Sequence, residues 1–153
     1  MMRFKAFAIV AMAALCVADG AAAAGAYKFS PPSTAFTASG QSFLTKGTTR
    51  YICGTTVQMR TNAKGRLKIN SVSFSGDNCP QALGLPWRVV SAGFNSAFFK
   101  KVSMTTPFGS CNAASFPIFL TGGTMLWSWS FADCGAAISA SLQTSPTLSL
   151  VPK

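Results

Sequence analysis

The chain contains no histidine and no glutamate, and its three acids are Asp19, Asp77 and Asp133. Without histidine there is no Ser-His-Asp triad and no His-ligated zinc. Charge is scarce, at 10% of residues against about 25% in ordinary soluble proteins. What charge there is has mostly one sign: 13 Lys and Arg against three Asp leave a net +10. Beyond residue 24 no segment repeats its apolar residues every 3.6 positions, so amphipathic helices are not expected. No apolar run reaches the roughly 20 residues of a membrane-spanning helix. A length of 153 residues fits one domain.

What is present begins with an export signature. Arg3 and Lys5 precede an apolar run over residues 6–17, and small residues follow to Ala24. That order is the one a secretory signal peptide shows, and a buried N-terminal helix is the rival reading. Cleavage is expected after Ala24, with Ala26 as a second site of the same small-x-small form. Residues 25–153 then make a single β domain outside the inner membrane: extracellular, periplasmic or on the outer cell surface. Cys16 lies in the apolar run behind Leu15, which is too large for a lipoprotein site. Loss of Arg3, Lys5 and Asp19 takes the net charge from +10 to +9.

Four cysteines remain: Cys53, Cys79, Cys111 and Cys134. An even count in an exported chain reads as two disulfides. Three pairings are open. Short loops close at less entropic cost, which leans toward Cys53–Cys79 with Cys111–Cys134. No Cys-x-x-Cys spacing and no histidine support a metal, and no cofactor is expected.

Alternation with period two is widespread. Met125, Trp127, Trp129 and Phe131 share one face of a strand, as do Ile138, Ala140 and Leu142. Leu67 and Ile69 set one phase and Val72 and Phe74 the other, which predicts a bulge at Asn70-Ser71. Further strands are expected over residues 48–53, 55–61, 87–93, 97–104 and 115–120. Asn62-Ala63-Lys64-Gly65 predicts a hairpin turn. One short helical turn is expected within residues 78–86. Eight to ten short strands imply an antiparallel β-sandwich or barrel. Both ends, residues 27–37 and 144–153, read as extended edge strands, and such edges invite self-association.

Asp77 and Asp133 each stand beside a cysteine. A carboxylate-pair hydrolase needs its two acids about 5–10 Å apart, and nothing in the spacing brings these together. Both read as turn residues, and no catalytic residue is expected. Arg60, Lys64, Arg66 and Lys68 cluster on the predicted hairpin with no acid nearby, a candidate anion-binding stripe. The bland alternative is an ordinary solvated face. Cell-surface polysaccharide or lipid head groups are the expected anions; nucleic acid is not, for want of a motif. The three tryptophans are expected mostly in the core. Phe98, Phe99 and Phe119 are candidates for an exposed apolar contact, because Phe98-Phe99 and Ile118-Phe119-Leu120 cannot all face one side of a strand.

Phe36-Thr37-Ala38-Ser39-Gly40, Tyr51-Ile52-Cys53, Val72-Ser73-Phe74-Ser75-Gly76 before Cys79, Leu85-Pro86-Trp87, Gly109-Ser110-Cys111, Cys134 and the ending Leu148-Ser149-Leu150-Val151-Pro152 carry a resemblance. Together they resemble the small secreted bacterial alkane-oxidation activator proteins of the PraA/PraB type, over residues 36–152. The Leu-Pro-Trp motif and the cysteine order are the most specific parts. The resemblance implies an exported non-catalytic protein that helps contact or disperse hydrocarbon, with no catalytic residues to carry over. Two roles follow from the residues and the resemblance together. One is action at the cell surface or hydrocarbon interface. The other is a structural subunit of an extracellular fibre or biofilm matrix, assembling through edge strands.

Overall fold

Eleven strands and no helix build residues 25–153, the part of the chain described by a computed structural model. The expected signal segment, residues 1–24, lies outside the described residues. In chain order the strands are β1 (Tyr27–Ser30), β2 (Ala35–Lys46), β3 (Thr49–Thr61), β4 (Leu67–Ser75), β5 (Gln81–Leu83), β6 (Trp87–Ser91), β7 (Ser96–Thr106), β8 (Gly109–Thr121), β9 (Thr124–Ser130), β10 (Ala137–Ser145) and β11 (Ser149–Pro152). Hydrogen bonding runs β7-β6-β4-β3-β2-β10-β9-β8 and closes from β8 back to β7. The architecture is therefore an eight-stranded closed antiparallel barrel, which decides between the two expected forms. β5 adds to the edge of β7 beyond the point where β6 leaves it. The expected helical turn within residues 78–86 is replaced by β5, whose Gln81, Ala82 and Leu83 pair with Thr105, Met104 and Ser103.

The alternation read from the sequence fills the barrel interior. Phe36, Ala38 and Leu44 of β2, Val57 and Met59 of β3, Met125 and Trp127 of β9, and Ile138 and Leu142 of β10 are all buried. The middle is aromatic: Phe99 and Phe116 stack at 5.8 Å, and Trp127 meets them edge-on at 5.7 and 6.0 Å. Such offset and T-shaped pairs suit the ring quadrupoles. Trp87 and Trp127 are buried as expected, and Trp129 is half-buried against Phe116.

Two irregularities set which side chains face in. Ser71 pairs with Gln58 while Ile69 pairs with Met59, so Asn70 is the extra residue of the expected bulge. On β7, Lys101 adopts φ 56°, a left-handed conformation uncommon for a residue with a Cβ. The strand phase reverses there, so that Phe99 and Val102 both point inward.

The barrel has two unlike ends. Cys53–Cys79 and Cys111–Cys134 are bonded, the pairing favoured by loop closure, and both lie at one end. At the other end β1 and β11 form a two-stranded antiparallel ribbon, with Tyr27 opposite Pro152 and Ser30 opposite Ser149. The extended termini, expected as edge strands, thus pair with each other and each keeps one unpaired outer edge. Phe29 plugs the barrel beneath the ribbon and is 2% exposed. Its N–H donates to the carbonyl of Gly65 at 2.9 Å. A Cβ on Gly65 would stand 2.7 Å from the Phe29 carbonyl oxygen, so only glycine lets the ribbon come this close.

Candidate functional site

The hairpin Asn62–Gly65 forms as the sequence predicts, with the Asn62 Oδ1 accepting from the N–H of Lys64 and of Arg66 at 2.9 and 3.0 Å. It carries the expected basic cluster, and the sheet register extends that cluster. Arg60 of β3 lies opposite Lys68 of β4, Lys68 opposite Arg88 of β6, and Arg88 opposite Lys100 of β7. Four cations therefore stand in one row across four strands, all outward. Strands are about 4.8 Å apart, and at that spacing two unit charges repel by roughly 0.8 kcal/mol even in bulk water.

Beside the row the wall and the terminal ribbon enclose a groove of about 1010 Å³. Arg60, Lys68 and Arg88 line one bank, Lys64 and Arg66 project from the hairpin, and Lys28 and Lys153 come from the ribbon. No Asp or Glu side chain lines it. The two acids among the described residues are at the disulfide end. Asp77 is exposed in the loop after β4, and Asp133 accepts from both the backbone N–H and the side-chain amide of Asn112 at 2.9 and 3.0 Å. The Asn112 side-chain bond, with help from its backbone N–H, holds the Asp133 carboxyl below the usual carboxylate range. Among the described residues no three His, Cys, Asp or Glu gather to hold a metal.

Arg88 has a like charge on each side, and like charges directly opposite each other weaken a sheet. Arg88→Gln is expected to raise stability by about 0.5 kcal/mol at low salt. Urea midpoints should show the gain shrinking as salt rises and screening shortens to below about 10 Å. A loss of stability would mean that the guanidinium makes a stabilising contact outweighing the repulsion.

The apolar candidates divide. Phe119 is 47% exposed and lies opposite Leu126, itself 39% exposed. Phe98 is half-buried, opposite Pro117 and Val90, with Lys100 Nζ 5.1 Å above its ring. Phe99 does not belong with them. It is 1% exposed and sits in the aromatic core, because the phase of β7 is fixed by the break at Lys101. Phe98, Pro117, Phe119 and Leu126 therefore form an outward apolar strip over β7, β8 and β9. Lys100 marks the seam: it ends the cation row, covers Phe98, and donates from Nζ to Ser115 Oγ at 3.0 Å.

Elsewhere the outer wall is mostly polar, with Ser39, Gln41, Gln58, Ser141 and Gln143 exposed, although Ile52 of β3 and Phe94 after β6 are apolar exceptions, 59% and 69% exposed. A membrane-spanning barrel has the reverse arrangement, apolar outside and polar inside. No helix among the described residues is long and apolar enough to cross a membrane.

A family model for PraA/PraB-like alkane oxidation protein activators matches residues 1–152. The chain belongs to the PraA/PraB-like family. No curated protein and no solved structure matches it. The family's printed description, an activator of alkane oxidation, points to a supporting rather than a catalytic role. In this PraA/PraB-like barrel the sequence had marked Arg60, Lys64, Arg66 and Lys68 but not Arg88, Lys100, Lys28 or Lys153. Those join the site only through pairings between distant segments, for which a single chain carries no local signal.

Proposed function

We propose that this PraA/PraB-like protein is an exported, non-catalytic barrel that acts where hydrocarbon meets the cell surface. The observation that carries the reading is the apolar strip adjoining a cation row on the outer wall of a barrel whose interior is already filled by its own side chains. A packed core leaves the outside as the working surface. Phe98, Phe119 and Leu126 would rest on the oil, and the row beyond Lys100 would face the anionic cell envelope. The export signature, the two disulfides and the family description support the same reading. The alternative, a fibre or matrix subunit, would assemble through the outer edges that β1 and β11 each keep in their two-stranded ribbon.

The test is adsorption to hexadecane droplets and the fall in oil–water tension it produces. Losing on the order of 100 Å² of oil contact costs roughly 2.5 kcal/mol. Phe119→Ser with Leu126→Ser is accordingly expected to weaken partition onto the droplets by tenfold or more, with unchanged thermal melting. A wild-type protein that leaves the tension unaltered, or a double variant that adsorbs as before, would refute the oil-facing role.

A further inference from the structure

We infer that the groove between the terminal ribbon and the wall of β3, β4 and β6 binds a linear acidic polysaccharide, laid across the cation row. This deepens the cell-facing half of the reading above, and the oil-facing half stands or falls separately on Phe119 and Leu126.

The row itself is the first reason. Arg60, Lys68 and Arg88 line the groove in register on successive strands, so their attachment points repeat at the strand spacing of about 4.8 Å. That repeat is close to the rise of one sugar unit in an extended chain, so each acidic sugar can meet one cation. An arrangement that costs the sheet stability is relieved by a partner bearing anions at the same interval.

The shape is the second reason. The site is a groove with a cation on its second bank as well, Lys28 of the ribbon opposite the wall. A flexible strand can be laid into a channel, whereas the planar head-group surface of a membrane meets a flat or convex face. Asn70, displaced outward by the bulge, lines the groove and is exposed, which places an amide where sugar hydroxyls would pass. Proteins that hold single-stranded nucleic acid stack bases on exposed aromatic rings. The aromatic residues here are Tyr27, half-buried, and Phe29, buried, so bases find little to stack on.

The experiment is a calorimetric titration of the disulfide-bonded exported protein with polygalacturonate oligomers. Parallel titrations use inorganic phosphate, a single-stranded oligonucleotide and phosphatidylglycerol vesicles. Polygalacturonate is expected to bind at low salt and to weaken steeply as salt rises, with phosphate binding far more weakly. Lys68→Gln with Arg88→Gln should reduce affinity by about tenfold or more while leaving the melting temperature undiminished. Lys46→Gln with Arg50→Gln removes the same charge at the disulfide end and should leave affinity within about twofold. Absence of binding at low salt would overturn the inference. So would equal losses in the two double variants, which would show attraction to net charge alone. Tighter binding of the oligonucleotide or the vesicles would reassign the groove to that partner and equally overturn it.

Discussion

A variant with alanine at Cys53, Cys79, Cys111 and Cys134 is expected to lose its cooperative fold at room temperature. The two bridges close loops with sequence separations of 26 and 23 residues, and loop-closure entropy assigns each about 3.5 kcal/mol. The loops do not overlap in the chain, so the two losses should nearly add. About 7 kcal/mol is a major share of the 5–15 kcal/mol that usually separates folded from unfolded. Both bridges also sit at the same end of the barrel. One ties β3 to the loop after β4, and the other ties β8 to the loop between β9 and β10. That end would be left without a covalent tie, whereas the opposite end keeps the ribbon. Either single-pair variant is expected to melt roughly 10–20 °C lower. Near-ultraviolet circular dichroism with urea titration would check this. A four-alanine protein that unfolds cooperatively near the wild-type midpoint would show that the bridges add little beyond the packed core.

Phe116→Ala should cost about 4 kcal/mol. Phe116 is 2% exposed and meets Phe99, Trp127, Trp129 and Phe131 at ring-centroid distances of 5.8 to 6.2 Å. It is thus the common neighbour of four rings from two other segments of the chain, β7 and the run from β9 to Phe131. Deleting its ring forfeits those contacts and opens a cavity that β7 and β9, held by the closed hydrogen-bond circuit, cannot collapse to fill. Trp127 would suffer most, because its buried Nε1 has no hydrogen-bond partner among the described residues and depends on the aromatic enclosure. The urea midpoint measures the loss. A cost below about 1.5 kcal/mol would mean that the core relaxes around the gap.

Much of this barrel was legible in the sequence wherever the signal was local. The period-two faces of β9 and β10, the Asn62–Gly65 turn and the bulge at Asn70 all express constraints between near neighbours. The disulfide pairing is the one that loop length favoured among three open possibilities. Four features were not fully legible, three of them for a non-local reason. The termini read as separate edges because their partnership joins Tyr27 to Pro152 across the whole chain. Phe99 read as an exposure candidate because parity along β7 depends on the conformation of Lys101, which its residue type does not foretell. The cation row was half visible: Arg60 and Lys68 share a hairpin, whereas Arg88 and Lys100 align with them only after β4, β6 and β7 are laid side by side. Barrel and sandwich also look alike strand by strand, and the pairing of β7 with β8 decides between them.

The ribbon has a mechanical consequence. Tyr27 and Pro152 face each other at the same end of an antiparallel pair, so a pull applied at those two residues opens β1 from β11 one rung at a time, as a zipper does, instead of shearing all the rungs together. The first piece to leave is a bank of the cationic groove, together with Phe29, the plug beneath it. The disulfide-tied end would still hold. Tension between the two ends of the barrel chain would therefore dismantle the groove before the body of the barrel, and a captured chain would be let go while the protein that held it stayed folded.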